Sequence, residues 1–298
     1  MNQVWPNKFI ILIKIFAAFW IIDGLLQFQP NLLSSKFINH LIKPLFVGDN
    51  HFILSLSNFF NHLFLLNSVF FGLLIGLIQI AIGILIWKPS FQKIGLRISI
   101  FWSAFIWVFG QNFGGLINHQ FNYLTGAPGP ALIYLILSCI FLLFLNNKKV
   151  KALALANFAW LFFWLGQIIS LFIFNDSIRM TLKMRSYQNL PIKLSLIDHT
   201  FYNFTYLQTN FVFLIILIFS LLFAFSIFFK PLLKKTLTYL AFLYLFIIFL
   251  FFQNFGAYSS GLMTDVGLLP LMILLGIIIT DVRKFEINRL INFEKFLT

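Results

Sequence analysis

Residues Trp107 to Pro130 read WVFGQNFGGLINHQFNYLTGAPGP, and part of this stretch returns later in the chain. Gln111-Asn112-Phe113-Gly114 reappears 142 residues on as Gln253-Asn254-Phe255-Gly256. Before each copy lies a long apolar run that opens on Lys-Pro, Lys88-Pro89 in one case and Lys230-Pro231 in the other, again 142 apart. Lys93 and Lys235 keep the same spacing, so the register holds without a gap from residue 88 to 114. This predicts two copies of one helical unit, each with a polar turn after its third long helix.

The composition places that unit in a membrane. Sixty per cent of the residues are apolar and 10% charged, with a mean hydropathy of +0.94, whereas a soluble domain is about a quarter charged. Backbone groups must be satisfied internally in lipid, which leaves helices or a closed barrel. Apolar runs of about 20 residues choose helices over the alternating ten-residue strands of a barrel. The expected fold is therefore all-α and polytopic. Eight spans are expected near 9–28, 65–87, 94–112, 130–146, 152–174, 206–229, 236–254 and 266–281. The first carries Asp23 and Gln27 and lacks a small-x-small cleavage site, so it reads as a retained helix, not a cleaved signal.

The net charge of +13 does not indicate nucleic acid, because Lys and Arg sit at the ends of the apolar runs and form no stripe. With the N-terminus inside, the inner segments hold fourteen basic residues and the outer loops six, which places both termini in the cytoplasm. Two outer segments, roughly Gln29–Phe64 and Asn175–Thr205, mix polar and apolar residues and read as amphipathic pieces on the outer leaflet. Trp20 and Gln27 correspond to Trp160 and Gln167 at an offset of 140. The expected division is 1–147 and 148–281, two four-helix repeats related by a pseudo-two-fold along the membrane normal, followed by an amphipathic cytoplasmic tail at 282–298.

Among candidate site residues, Asp23 stands out. A carboxylate in a spanning helix must be paired, protonated or open to water. Gln27 shares its face one turn on, and Gln27, Gln111 and Asn112 are the expected partners. Either a ligand anchor or a structural carboxylate fits, but the second copy has Phe163 at this place, which leans toward function. Thr125, with Thr264 or Asp265, suits a helix N-cap, and Pro130 and Pro270 suit first-turn positions. Each turn reads as a well-capped hairpin or as a site presenting bare N–H groups. The candidate ligand-binding set is Asp23, Gln27, Gln111, Asn112, Thr125, Gln253, Asn254 and Asp265. The five histidines show no ligand spacing and the single Cys139 lies in an apolar run, so no metal site is expected. No P-loop, GxGxxG, CxxC or GxSxG occurs.

The pattern Lys14-Ile-Phe…Trp20…Asp23-Gly-Leu-Leu-Gln27…Pro30, followed by a long outer segment and three spans, resembles the first helix of DoxX-type four-helix membrane proteins. FWIIDGLLQFQP together with LTGAPGPALIY resembles an uncharacterised bacterial family that duplicates such a unit. Lys14 stands where that family usually has Arg, and the second copy lacks most of the motif. The resemblance implies a bacterial inner-membrane protein associated with redox chemistry, with a quinone as possible cofactor and a membrane or periplasmic redox partner. The residues support three functional expectations. The first is an accessory component holding a quinone or lipid headgroup in an outer polar crown. The others are a small transporter with substrate between the repeats and a scaffold for a partner protein.

Overall fold

The computed structural model describes residues 4–49, 51–118, 121–183, 200–201, 203–253 and 261–281, and among these there are helices and turns but no strand. The tail at 282–298, Asn254, His119 and His199 lie outside the described residues, as does 184–199 of the second outer segment.

Ten helices carry the architecture: α1 (Val4–Leu26), α2 (His51–Leu66), α3 (Ser68–Trp87), α4 (Gln92–Phe109) and α5 (Pro130–Leu145), then α6 (Lys149–Ile173), α7 (Asn175–Lys183), α8 (Thr209–Phe225), α9 (Pro231–Phe251) and α10 (Leu268–Asp281). Each of the eight expected apolar runs is helical over most of its length. Five helices are long and apolar enough to cross a membrane, at Lys8–Leu26, Ser68–Trp87, Lys149–Ile173, Thr209–Phe228 and Pro231–Phe251. His51–Leu66, Pro130–Leu145 and Leu268–Thr280 are shorter apolar helices. Large apolar side chains cover the outward surface, among them Phe101 at 77% exposure and Leu232 at 80%. A water-soluble protein does not present such a face over its whole girth. The molecule is an all-helical membrane protein.

Local chemistry sets the helix ends. The Asn67 side chain accepts the Phe70 N–H at 3.0 Å and caps α3. Pro130 and Pro231 each occupy the first turn of their helices, where a missing N–H costs nothing. Pro89 differs from Pro231: it lies in the turn before α4, which starts only at Gln92. Thr125 is not the cap of α5. That position is taken by Gly129 at φ 94°, a left-handed conformation open to glycine, while the Thr125 hydroxyl donates back to Asn122 O at 3.1 Å.

Without a hydrophobic drive between helices in lipid, small residues that let backbones approach dominate packing. The most intimate pair is α1 and α3. A Cβ placed on Gly24 would lie 2.6 Å from the carbonyl oxygen of Gly76, so the two backbones nearly touch. Ser99 Oγ and Ser138 Oγ meet at 2.6 Å and join α4 to α5. Along the chain, α3 packs on α4 and α5 on α6, and α6 packs on α8 as α1 packs on α3. Helix α10 packs on α9, α6 and α5, and touches α1. Lys14 lies over the Trp87 ring at 5.7 Å, near the end where α3 finishes.

Helix α2 wears its amphipathicity inverted. Ser57 and Asn61 are buried and bonded to each other at 3.2 Å, while Phe52 and Phe59 face outward. That arrangement suits a helix bathed in hydrocarbon, with its polar face turned to the protein. It meets the bundle chiefly at α3 and at the irregular helical turn Phe37–Ile42.

Candidate functional site

The C-terminal end of α1 grips the turn before α10. Asp23 Oδ1 accepts the Val266 N–H at 2.8 Å. One turn on, Gln27 Nε2 donates to Thr264 O at 2.9 Å, and Gln29 Nε2 donates to Met263 O at 2.9 Å. Three side chains from FWIIDGLLQFQP thus engage the main chain of residues 263–266. Asp265 turns its carboxylate onto its own loop: Oδ1 accepts from Gly267 N at 2.8 Å and Oδ2 from Thr264 Oγ1 at 2.9 Å. Enclosure by protein raises the Asp265 carboxyl above its ordinary range, with the Thr264 and Gly267 donors opposing that shift.

Beside this clamp lies a cavity of about 270 Å³. Asp23, Gln27, Gln111 and Asp265 all line it, together with Trp20, Gln79, Ser103, Ala131 and Tyr134. Among its described lining residues there is no Lys, Arg or His. Its decisive feature is unspent hydrogen-bonding capacity. Trp20 Nε1, Gln79 Oε1, Ser103 Oγ and Tyr134 Oη are buried without a hydrogen-bond partner. The Tyr134 hydroxyl faces the Asp23 carboxyl closely enough that a small rotation would pair them. Each such group costs roughly 1–3 kcal/mol if left unsatisfied, and native interiors leave few of them. Four around one cavity mark a place built to receive polar atoms.

Asn112, Thr125 and Gln253 lie away from the cavity, and Gln111 is bonded within its wall. Asn112 does not reach Asp23; its Nδ2 donates to Leu45 O at 2.6 Å and to Asp49 Oδ2 at 2.7 Å, fastening the Asn112–Gly115 turn to the segment before α2. Partial burial raises the Asp49 carboxyl, and the Asn112 amide opposes the shift. Gln111 Oε1 accepts the Ala131 N–H at 3.2 Å and lies against Gly129, where any side chain would collide with it. Thr125 is exposed and away from the cavity. Gln253 sits near Gly126, not at the cavity wall. Trp20, Gln79, Ser103 and Tyr134 were not among the candidates, because a single polar residue in an apolar run reads as ordinary packing. Among the described residues no three His, Cys, Asp or Glu side chains gather closely enough to hold a metal ion.

Aromatic side chains crowd together around α6. Phe163, Trp164, Phe223 and Tyr244 are buried there, with Trp164 and Phe223 ring centroids 4.7 Å apart. Gln167 Nε2 donates to Tyr244 Oη at 2.7 Å. Trp164 Nε1 and Gln167 Oε1 are buried there without a hydrogen-bond partner.

No family model matches the chain, and no curated protein or solved structure shows a significant match to it.

Proposed function

We propose that this chain is a quinone-binding accessory component of a membrane redox system, holding the head of a prenyl quinone in the cavity beside Asp23. The observation that carries this reading is the set of buried, unpartnered groups facing that cavity. Trp20 Nε1 is a donor, and the Ser103 and Tyr134 hydroxyls can donate as well as accept. Two carbonyl oxygens on a flat, neutral ring would meet these donors, and the hydroxyls of the reduced ring could donate to Gln79 Oε1. Two carboxyls in the lining, with no basic residue among the described ones, disfavour a phosphate or carboxylate head. A pocket of this size, mostly apolar with a few convergent polar groups, is the usual form of a small-molecule site.

In this reading the chain has eight spans arranged as two tandem four-helix units. The pairing of α1 with α3 and of α6 with α8, followed in each half by the next two helices in order, supports that arrangement. Both termini face the cytoplasm of a bacterial inner membrane, as the charge asymmetry indicates, and the protein is a DoxX-like relative.

Calorimetric titration of the purified protein with decylubiquinone tests the proposal. Saturable binding by the wild type, abolished by Ser103→Phe in a protein that remains folded, is the expected result. Equal binding by both proteins places the quinone elsewhere and ends this reading.

A further inference from the structure

A second cavity of about 300 Å³ opens beneath α2, bounded by α2, α3 and α4. Its walls are hydrocarbon and aromatic, with Phe60, Phe64, Phe71, Phe105 and Phe109 prominent. It lies directly against the polar cavity. Phe37, Ile42, Ile75, Ile106 and Gly110 line both, so the two spaces share a wall one residue thick. Most of the unpartnered polar atoms face the first chamber, and the second is apolar apart from Asn61 and the unpartnered Trp102 Nε1, which approximates the division of a single-tailed amphiphile.

We propose that this aromatic groove holds the isoprenoid tail of the quinone whose head occupies the polar cavity, and that the ligand enters sideways from the leaflet in which α1 ends. The inference rests on the quinone reading above and adds the route of entry and the placement of the tail. The shared wall brings both chambers within reach of one ligand, which argues for a ligand tail over a stray lipid chain. A lipid chain alone would leave Trp20, Ser103 and Gln79 unsatisfied, whereas a tethered head reaches them. Helix α2 suits the role of roof: it packs chiefly against α3 and the Phe37–Ile42 turn, and its outward Phe52 and Phe59 face lipid. Leu74 stands at the groove wall with 40% of its surface exposed, and it lines only this chamber. Enlarging it would block the tail without touching the head.

The test uses the full chain in nanodiscs and two probes, decylubiquinone and its tail-less ring, dimethoxy-methyl-benzoquinone. Leu74→Trp should weaken decylubiquinone by about tenfold or more, through the lost burial of several methylenes, and leave the tail-less ring unchanged. In the wild-type protein, a quinone carrying a diazirine at its tail end should label peptides from α2 and α3. If the tail-less ring binds but Leu74→Trp leaves decylubiquinone unaffected, or the label falls outside α2–α4, the tail route is wrong and the head site stands. Labelling competed by phospholipid but not by the tail-less ring would mean an ordinary acyl chain in the groove, which also overturns it. If neither probe binds the wild type saturably, the head site itself is wrong and this inference goes with it.

Discussion

Asp23 and Val266 are 243 residues apart in sequence, yet the Asp23 carboxylate accepts the Val266 main-chain N–H at 2.8 Å. The bond joins the end of the first helix to the turn before the last. It gives Asp23 a structural task beside any ligand task, and substitutions separate the two. Asp23→Asn keeps an acceptor oxygen for Val266, so the protein should fold and melt near the wild-type temperature. Asp23→Leu leaves that buried N–H unpaired and should lose roughly 1–3 kcal/mol of stability. Thermal melts in detergent decide it; equal melting of all three would deny the clamp.

Asp265 should make stability fall with rising pH. Desolvation raises its folded-state pKa above the ordinary 3.8, with Thr264 and Gly267 hydrogen bonds only opposing the shift. The folded protein thus holds this proton more tightly than the unfolded chain does. That contribution is fully present below pH 3.8 and is lost as the pH rises through the folded value. Asp265→Asn keeps an acceptor for Gly267 and removes the titration. Its melting temperature should exceed that of the wild type at neutral pH, and the gap should close toward pH 3.8. A gap independent of pH would show that Asp265 ionises freely.

The Gly24–Gly76 seam positions Asp23 and Gln27. A Cβ on Gly76 would lie 2.9 Å from Gly24 O and 3.2 Å from Gln27 Cβ, so α1 and α3 would have to part. Gly76→Val should cost about 1–3 kcal/mol, as overpacking does. Gly72→Ala should cost much less, because its tightest neighbour is the end of the Leu33 side chain at 2.7 Å, which can swing aside. Denaturation of both variants in mild detergent checks the ranking, and the reverse order would refute the seam.

The charge asymmetry yields a topology prediction. A reporter fused after Lys149 or Thr298 should read cytoplasmic, and one near Lys43 or Tyr187 should read external. A periplasmic signal at Lys149 would sink the proposed orientation.

Much of the helix pattern was legible because apolar runs and Lys-Pro starts are local signals, and the helices fall where those signals lie. The site was half legible. Asp23, Gln27, Gln111 and Asp265 are conspicuous as polar residues at helix ends, and folding does bring them to one cavity. Gln79, Ser103 and Tyr134 sit in apolar helices, and only the packing of α1, α3, α4 and α5 shows that they converge unpaired. Thr125 misled because its hydroxyl bonds back to Asn122 instead of forward into α5. Asn112 misled because Asp49, an unremarkable loop carboxylate in sequence, claims its amide.

The measurement that bears most directly on the central claim is native mass spectrometry of the protein purified in mild detergent from a quinone-producing host. The cavity beside Asp23 predicts a prenyl quinone bound to the chain. That quinone should be displaced by decylubiquinone and missing from Ser103→Phe. A chain that carries only phospholipid while remaining folded, or a quinone retained by Ser103→Phe, would contradict the account.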